Sequence, residues 1–413
     1  MKLIGASKII TCNKNFEIID NGGILFDEKR IIKIGDFNSM KNKKIESNFY
    51  ESCVITPAFI NSHIHFEFSA NYTTLKYGNF SFWLDSIFKS RDGLLDSIQD
   101  SIHINNAIKE SMKSGVGCVG AISSRGLDLE ALSTSPLKVL FFNEAIGLKE
   151  EYLESNIRDF DTRLKKSLIL KNDNFKVGIA LHSPYSLHPK LVSYVLNKAK
   201  ENNLLLSTHF LESKDELLWL DSSKGPLKVV LEKNLNIQNA KPLYPKREFL
   251  NLFTSFESLF VHCLYLSNDD FIHLSSLKSD IISCPRSNRL LSNTYFDFFK
   301  AKDYGFNLII ATDGRSSNNS LSILDEARAA LFGYRKFDLS NLAKQILLSI
   351  TANPAKKFRF NNGILQKNKA SDFAIFKIKD IATSSQVALH TILHAKEVED
   401  LYINGRRIDI ENY

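Results

Sequence analysis

The sequence predicts an α/β protein: a (β/α)8 TIM barrel with a small β-sandwich built from both chain termini. Three observations carry this. Short apolar runs with strand character recur eight times between residues 54 and 313, and the stretches between them carry helical period. The two ends instead read as short strands and turns. Polar residues able to bind a metal fall at the C-terminal ends of the apolar runs, where a barrel of this kind places its functional groups. On this reading residues 57–356 form the barrel, and 1–56 with 357–413 form the composite sandwich domain.

Near the N-terminus, Asn21-Gly22-Gly23 precedes Ile24-Leu25-Phe26, and Asp27-Glu28-Lys29-Arg30 turns the chain into Ile31-Ile32-Lys33-Ile34. That is a β-meander. The eight barrel strands are expected at 54–65, 116–123, 138–146, 176–183, 204–211, 259–264, 280–284 and 308–313. Segments such as 82–88 and 324–332 repeat their apolar residues at helical spacing. The C-terminal end supplies 372–378, then 398–403, a turn at Asn404-Gly405, and a last short strand from Arg407. Neither end buries a sheet face alone, so the two are expected to pair.

Composition narrows the function. With 413 residues, 44% of them hydrophobic and 24% charged, the chain has material for a large core. The net charge of +7 comes from Lys and Arg scattered along the chain without a basic block, which argues against a nucleic-acid surface. Five cysteines, Cys12, Cys53, Cys118, Cys263 and Cys284, are odd in number, far apart and without a Cys-x-x-Cys pair. That favours reduced thiols in a cytoplasmic protein. No apolar run reaches transmembrane length and the first residues lack the apolar stretch of a signal peptide, so no membrane partner is expected.

His63 and His65 are the strongest single signal. Residues two apart on a strand share a face, so both imidazoles project together from the end of the first barrel strand. Two neutral imidazoles make half of a divalent-metal site. Downstream strand ends carry His182, His209, His262 and Asp313. Five of the ten histidines plus an aspartate at such positions are hard to explain by packing. The remaining five, His103, His188, His273, His390 and His394, read as structural or solvated, and Trp83 as core or pocket wall.

The pattern resembles the amidohydrolase superfamily, and within it the mononuclear-metal deaminases of nucleosides and related heterocycles. The resemblance runs over nearly the whole chain. It rests on Pro57-Ala58-Phe59-Ile60-Asn61-Ser62-His63-Ile64-His65, His182-Ser183-Pro184-Tyr185, His209-Phe210-Leu211-Glu212, Val261-His262, Cys284-Pro285-Arg286-Ser287-Asn288, and Thr312-Asp313-Gly314 with Ser317-Asn318-Asn319. The run His65-Phe66-Glu67-Phe68-Ser69, with Gly120-Ala121-Ile122-Ser123 and Thr208 to Ser213, is most similar to the aminodeoxyfutalosine deaminases of the futalosine route to menaquinone.

That resemblance implies four ligands, His63, His65, His209 and Asp313, around one divalent ion, Zn²⁺ or alternatively Fe²⁺. Binuclear relatives bridge two metals through a modified lysine ending the fourth strand, where this chain has His182. The implied reaction is hydrolytic deamination at purine C6, taking 6-amino-6-deoxyfutalosine to futalosine and ammonia. Asp313 would take a proton from the attacking water, Glu212 would protonate N1, and His262 would hydrogen-bond the attacking oxygen. His182 is expected on a purine or ribose atom and Glu67 on a ribose hydroxyl. Ser317 and Asn318, within the quoted motifs, are expected beside the substrate. A substrate benzoate would favour an arginine: Arg125, Arg286, Arg289 and Arg315 are the candidates, of which Arg286 and Arg289 are expected to bind substrate. Two other readings stand beside this one. The same machinery could deaminate S-adenosylhomocysteine, methylthioadenosine or adenosine, or the barrel could be a degenerate structural relative without activity. The partner is expected to be a small nucleoside, with homo-oligomerisation open.

Overall fold

The computed structural model of the protein describes residues 1–71, 73–96 and 102–413. The first sheet is built from both ends of the chain: β1 (Lys2–Ile10), β2 (Ile18–Phe26), β3 (Ile31–Asp36) and β4 (Glu46–Pro57) come from the N-terminal part. The barrel sheet follows as β5 (Phe59–Ile64), β6 (Val116–Ser123), β7 (Lys138–Ala145), β8 (Phe175–Leu181), β9 (Leu206–Phe210), β10 (Ser258–His262) and β11 (Ser279–Ile282). The chain then returns to the first sheet with β12 (Phe373–Lys377), β13 (Asp400–Ile403) and β14 (Arg406–Arg407).

The first sheet runs β14-β13-β12-β4-β1-β2-β3. The turn read at 27–30 does join β2 to β3, and β4 pairs parallel to β1 and antiparallel to β12. This is one sheet folded over on itself. Phe26 on β2 lies 5.2 Å from Phe373 on β12 and 5.8 Å from Tyr402 on β13, although β1 and β4 separate them within the sheet. Its enclosed core includes Ile4, Ile9, Ile24, Ile55 and Ile375.

The second sheet is parallel throughout, β5 to β11 in chain order. Its axis is filled by alternate residues, among them Ile60, Cys118, Ile122, Leu140, Phe142, Val261 and Ile282, with Phe358 packed in the same cluster. Gly120 leaves room there: a Cβ would stand 2.7 Å from the Phe358 ring and 2.4 Å from the Ser62 carbonyl oxygen. Helices cover the outside. Pro189–Asn202 starts with proline at its first turn and His188 capping the Lys190 amide, ends at Asn203 in the left-handed region, and buries Leu191, Val192, Val195 and Ala199 at helical spacing.

Two expectations need correction. The predicted first strand, 54–65, is two strands: residues up to Pro57 pair with β1 and β12, and those from Phe59 pair with β6. The apolar run hides this crossing because both sheets bury it; at the joint the Ala58 amide donates to the Asp372 carbonyl. The predicted eighth strand, 308–313, forms no regular ladder. It bonds to β11's extension through Ser283 N–H to Ile309 O and Ala311 N–H to Ser283 O. On the β5 side the Asn61 side chain spans the gap, donating to Thr312 Oγ1 at 2.7 Å and accepting from the Thr312 amide at 3.1 Å. Beside it the Asp313 amide donates to the His63 carbonyl at 3.0 Å, so a side chain and a single backbone bond together stand in for a ladder.

Candidate active site

The C-terminal ends of the strands gather the polar groups. On β5, register shifts from Asn61↔Val119 to Ile64↔Ala121, so three steps on β5 match two on β6. Such a bulge moves the side-chain phase by one. Ile60 faces the axis and Ile64 packs outward in the cluster that holds Ile104 and Ile108, which leaves His63 and His65 on the inner side.

The Nε2 atoms of His63 and His65 are 3.2 Å apart, as are those of His63 and His209. Asp313 Oδ1 lies 3.5 Å from the Nε2 of both His63 and His65. All four residues are buried and their ligand atoms fall within 4.8 Å of one another. A divalent ion bonded to nitrogen at about 2.0–2.1 Å holds neighbouring donors about 2.9–3.4 Å apart. Both nitrogen pairs fit that spacing. One shared proton would satisfy one such pair, whereas a cation satisfies all four donors, so the set fits a single divalent ion. Burial pushes the His63 ring down to about 4 and the His65 ring to about 3, which keeps both neutral as ligands must be. Two of the four have a support behind them: His209 Nδ1 lies 2.9 Å from the His182 carbonyl, and Asp313 Oδ2 accepts from Ser287 at 2.8 Å and Ser317 at 2.7 Å.

Glu212 and His262 stand beside this cluster. After β9 the chain turns at Leu211, whose φ is 48°, and a second carboxylate fixes the turn. Glu216 accepts the amides of Leu211 and Glu212 at 3.0 and 2.9 Å, while Ser213 caps the helix Lys214–Ser222 by accepting from the Glu216 amide. Burial, reinforced by the carboxylates of Asp313 and Glu216, raises the Glu212 carboxyl well above its ordinary range. His262 sits in the left-handed region at φ 72°. Its Nδ1 is 2.8 Å from Asn288 Oδ1, so Nε2 is left as the acceptor. That Nε2 is buried with no hydrogen-bond partner among the described residues, 3.5 Å from Glu212 Oε1 and 4.0 Å from Asp313 Oδ2. Burial lowers the ring to about 4.

These groups open onto a cavity of about 550 Å³ lined by His65, His209, Glu212 and Asp313, and also by Ser124, Arg125, Glu144, His182 and Trp83. His182 Nδ1 is 2.7 Å from Ser186 Oγ, and Trp83 is pinned by donating Nε1–H to the Ser316 carbonyl.

The expected substrate contacts fare differently. Glu67 is fully buried with its carboxylate taken by the amides of Ser124, Arg125 and Leu127 and by Ser123 Oγ; it organises the loop after β6 and is not part of the cavity lining. Arg286 is clasped by Glu326, Asn319 and the carbonyls of Ser320 and Ser322, away from the cavity. Arg289 is exposed on the helix Pro285–Ser292, also outside the cavity lining. Arg315 pairs with Glu110. Ser317 supports Asp313, and Asn318 donates to the Thr312 carbonyl and Glu326 while accepting from the Asn319 amide. Glu144, Glu216 and the fixing role of Asn288 escaped the sequence reading. Glu144 ends the third barrel strand, the same positional signal that picked out the histidines, and Ser213-x-x-Glu216 is a capping-box pattern.

Residues 54–408 match the amidohydrolase family. The chain is 39% identical to an adenosine deaminase of Helicobacter pylori over 98% of its own length and 99% of that protein. It is 34% identical to an aminodeoxyfutalosine deaminase of Nitratiruptor, covering 94% and 95%. Among solved structures it superposes with a TM-score of 0.93 on Helicobacter pylori aminofutalosine deaminase in complex with methylthio-coformycin, at 37% identity over 99% of this chain and 100% of that one.

Proposed function

The chain belongs to the amidohydrolase family, and on that premise we propose that it is a metal-dependent deaminase that converts 6-amino-6-deoxyfutalosine to futalosine and ammonia. The observation that carries the reading is the convergence of His63, His65, His209 and Asp313 next to a buried Glu212 whose carboxyl is raised. The similarity to an aminodeoxyfutalosine deaminase supports the substrate. Its place in menaquinone biosynthesis follows from that substrate.

His63, His65, His209 and Asp313 would hold the ion, Zn²⁺ or alternatively Fe²⁺. When bound, it supplies Lewis acidity that brings the pKa of a water toward about 7. The reaction forms a C6–O bond and breaks the C6–N bond. Glu212, whose carboxyl burial raises well above its ordinary range, gives its proton to N1 and, once ionised, relays another to the departing amine. His262 presents its unpartnered Nε2 as an acceptor for the attacking water's hydrogen, held in that tautomer by Asn288. Asp313 takes the water's other proton, with Ser287 and Ser317 orienting it.

Of the four arginines considered, Arg125 is the one we assign to the benzoate: it lines the cavity, and among the described residues no side chain pairs with its guanidinium. We further infer a division between a catalytic barrel, 57–356, and a composite sandwich, 1–56 with 357–413. The five free, buried cysteines support a cytoplasmic location, and a homo-oligomer is compatible with the reading.

Ammonia release by the metal-loaded protein across 6-amino-6-deoxyfutalosine, adenosine, methylthioadenosine and S-adenosylhomocysteine tests this. The benzoate-bearing nucleoside should lead adenosine in kcat/KM by about tenfold or more, the worth of a charge-assisted contact. Arg125→Ala should erase most of that lead. A lead for methylthioadenosine or S-adenosylhomocysteine would move the substrate to the neighbouring deaminases, and no release from any of them would end the deaminase reading.

A further inference from the structure

Glu144 lines the cavity, and the reaction above leaves its carboxyl unused. It closes β7, is 1% exposed, and lines the cavity with His182 and His209. One of its carboxyl oxygens, Oε2, accepts from Ser124 Oγ. The other, Oε1, is buried and meets no donor among the described residues. Buried acceptors are rarely left so, because losing water without gaining a partner is unfavourable.

Glu144, His182 and His209 bring ligand atoms within 4.8 Å of one another, so a second cation is the first occupant to weigh. The bonding of His209 argues against it. Its Nε2 already faces His63 at 3.2 Å and its Nδ1 faces the His182 carbonyl at 2.9 Å, so neither ring nitrogen remains for another ion. The vacancy at Oε1 therefore calls for a hydrogen-bond donor from a ligand. A 6-aminopurine nucleoside has its exocyclic amine at the reacting carbon, where Glu212 and His262 stand, and its ring nitrogens N3 and N7 are acceptors. The donors left over are the ribose hydroxyls.

We propose that Glu144 accepts a hydrogen bond from a ribose hydroxyl of the substrate, the role the sequence had given to Glu67, and that it makes the enzyme selective for ribonucleosides. This rests on the deaminase reading above and deepens it.

The test compares adenosine with 2′-deoxyadenosine and 3′-deoxyadenosine as substrates, and coformycin with 2′-deoxycoformycin as ligands whose binding is read by calorimetry without turnover. Wild-type protein should favour the ribonucleoside over at least one deoxy analogue by about tenfold or more, since the analogue leaves a buried carboxyl unpaired. Glu144→Ala should shrink that preference to near unity, chiefly by losing efficiency on the ribonucleoside. Glu144→Gln keeps the side chain's shape and the Ser124 contact, and should give a partial loss in a protein of wild-type melting temperature. Indifference of the wild type to both deoxy sugars would overturn the proposal. So would a preference that survives in both variants, or an equal fall of kcat on ribo and deoxy substrates, which would mean that Glu144 positions His182 instead. If Glu144→Ala does not fold, the wild-type comparison and Glu144→Gln decide. Coformycin binding without sugar discrimination would sink this assignment alone; no turnover and no coformycin binding would sink the deaminase reading with it.

Discussion

Two arcs of the barrel rim carry the same kinds of residue and use them in opposite ways. Past β11, the helix Pro285–Ser292 faces the segment after Asp313, where Arg286, Asn318 and Glu326 close on one another; Glu326 takes the Arg286 amide and Nε as well as Asn318 Nδ2. Every strong donor and acceptor of that knot is spent inside it. Past β6 the loop from Ser123 to Leu127 is wrapped just as fully around Glu67, yet Arg125 and Glu144 line the cavity, and among the described residues neither the Arg125 guanidinium nor Glu144 Oε1 has a hydrogen-bond partner. A functional polar group is recognised by what its neighbours leave unsatisfied, and residue type says little about that.

The largest expected effect probes the reacting groups between the two arcs. Glu212→Gln keeps shape and burial but cannot relay a proton, so kcat should fall by roughly 10²–10⁴ with the metal content unchanged. A fall below about tenfold would remove Glu212 from proton transfer. Next, Arg286→Ala should open the closed arc. It leaves the fully buried Glu326 without its cation, a loss of about 3 kcal/mol or more seen as a lower melting temperature, while KM for the nucleoside stays as it was. A raised KM with unchanged stability would instead return Arg286 to the substrate and erase the contrast between the arcs.

The smallest effect concerns Glu216, whose carboxyl burial pushes from 4.5 up to about 7. A raised carboxyl binds its proton more tightly in the folded chain. Its contribution is therefore fully present below about pH 4.5 and is lost as pH rises through about 7, roughly 3 kcal/mol across that window. Glu216→Gln should flatten this part of the stability profile, measured by denaturant unfolding at several pH values. An unaltered slope would show that Glu216 stays ionised as it holds the Leu211 and Glu212 amides.

The polar cluster was legible in the sequence because its rule is local, a strand end plus a ligand type at that end; the choice of four among those residues came from the family resemblance. His63, His65, His182, His209, His262 and Asp313 all satisfy it, and the ligand atoms of His63, His65, His209 and Asp313 fall within 4.8 Å of one another. Glu144 satisfies it too, directly after Leu140-Phe141-Phe142-Asn143 and inside the stretch 138–146 read as a strand, where a carboxylate next to so apolar a run drew no notice. Glu67 and Arg286 were misplaced for the opposite reason. Whether their charges face a ligand or the protein depends on amides and carbonyls that lie far along the chain, such as Leu127 for Glu67 and Ser322 for Arg286. The irregular eighth strand was misjudged likewise, since 308–313 has a strand's composition while part of its bonding on the β5 side comes from the side chain of Asn61, 251 residues from Thr312.

The single residue between β4 and β5 has a consequence for the order in which the molecule is made. His63 and His65 sit on the strand that follows β4 directly, and β4 is flanked by β12, which begins at Phe373. At about 5–20 residues per second a ribosome needs roughly 15–60 s to travel from the first ligand to that partner. Throughout that interval β4 has β1 on one side and a bare edge on the other. Asp313 is still unmade for most of the same period. The two histidines that announce the site are among its first parts to be translated, and the strand that seats them firmly is among the last.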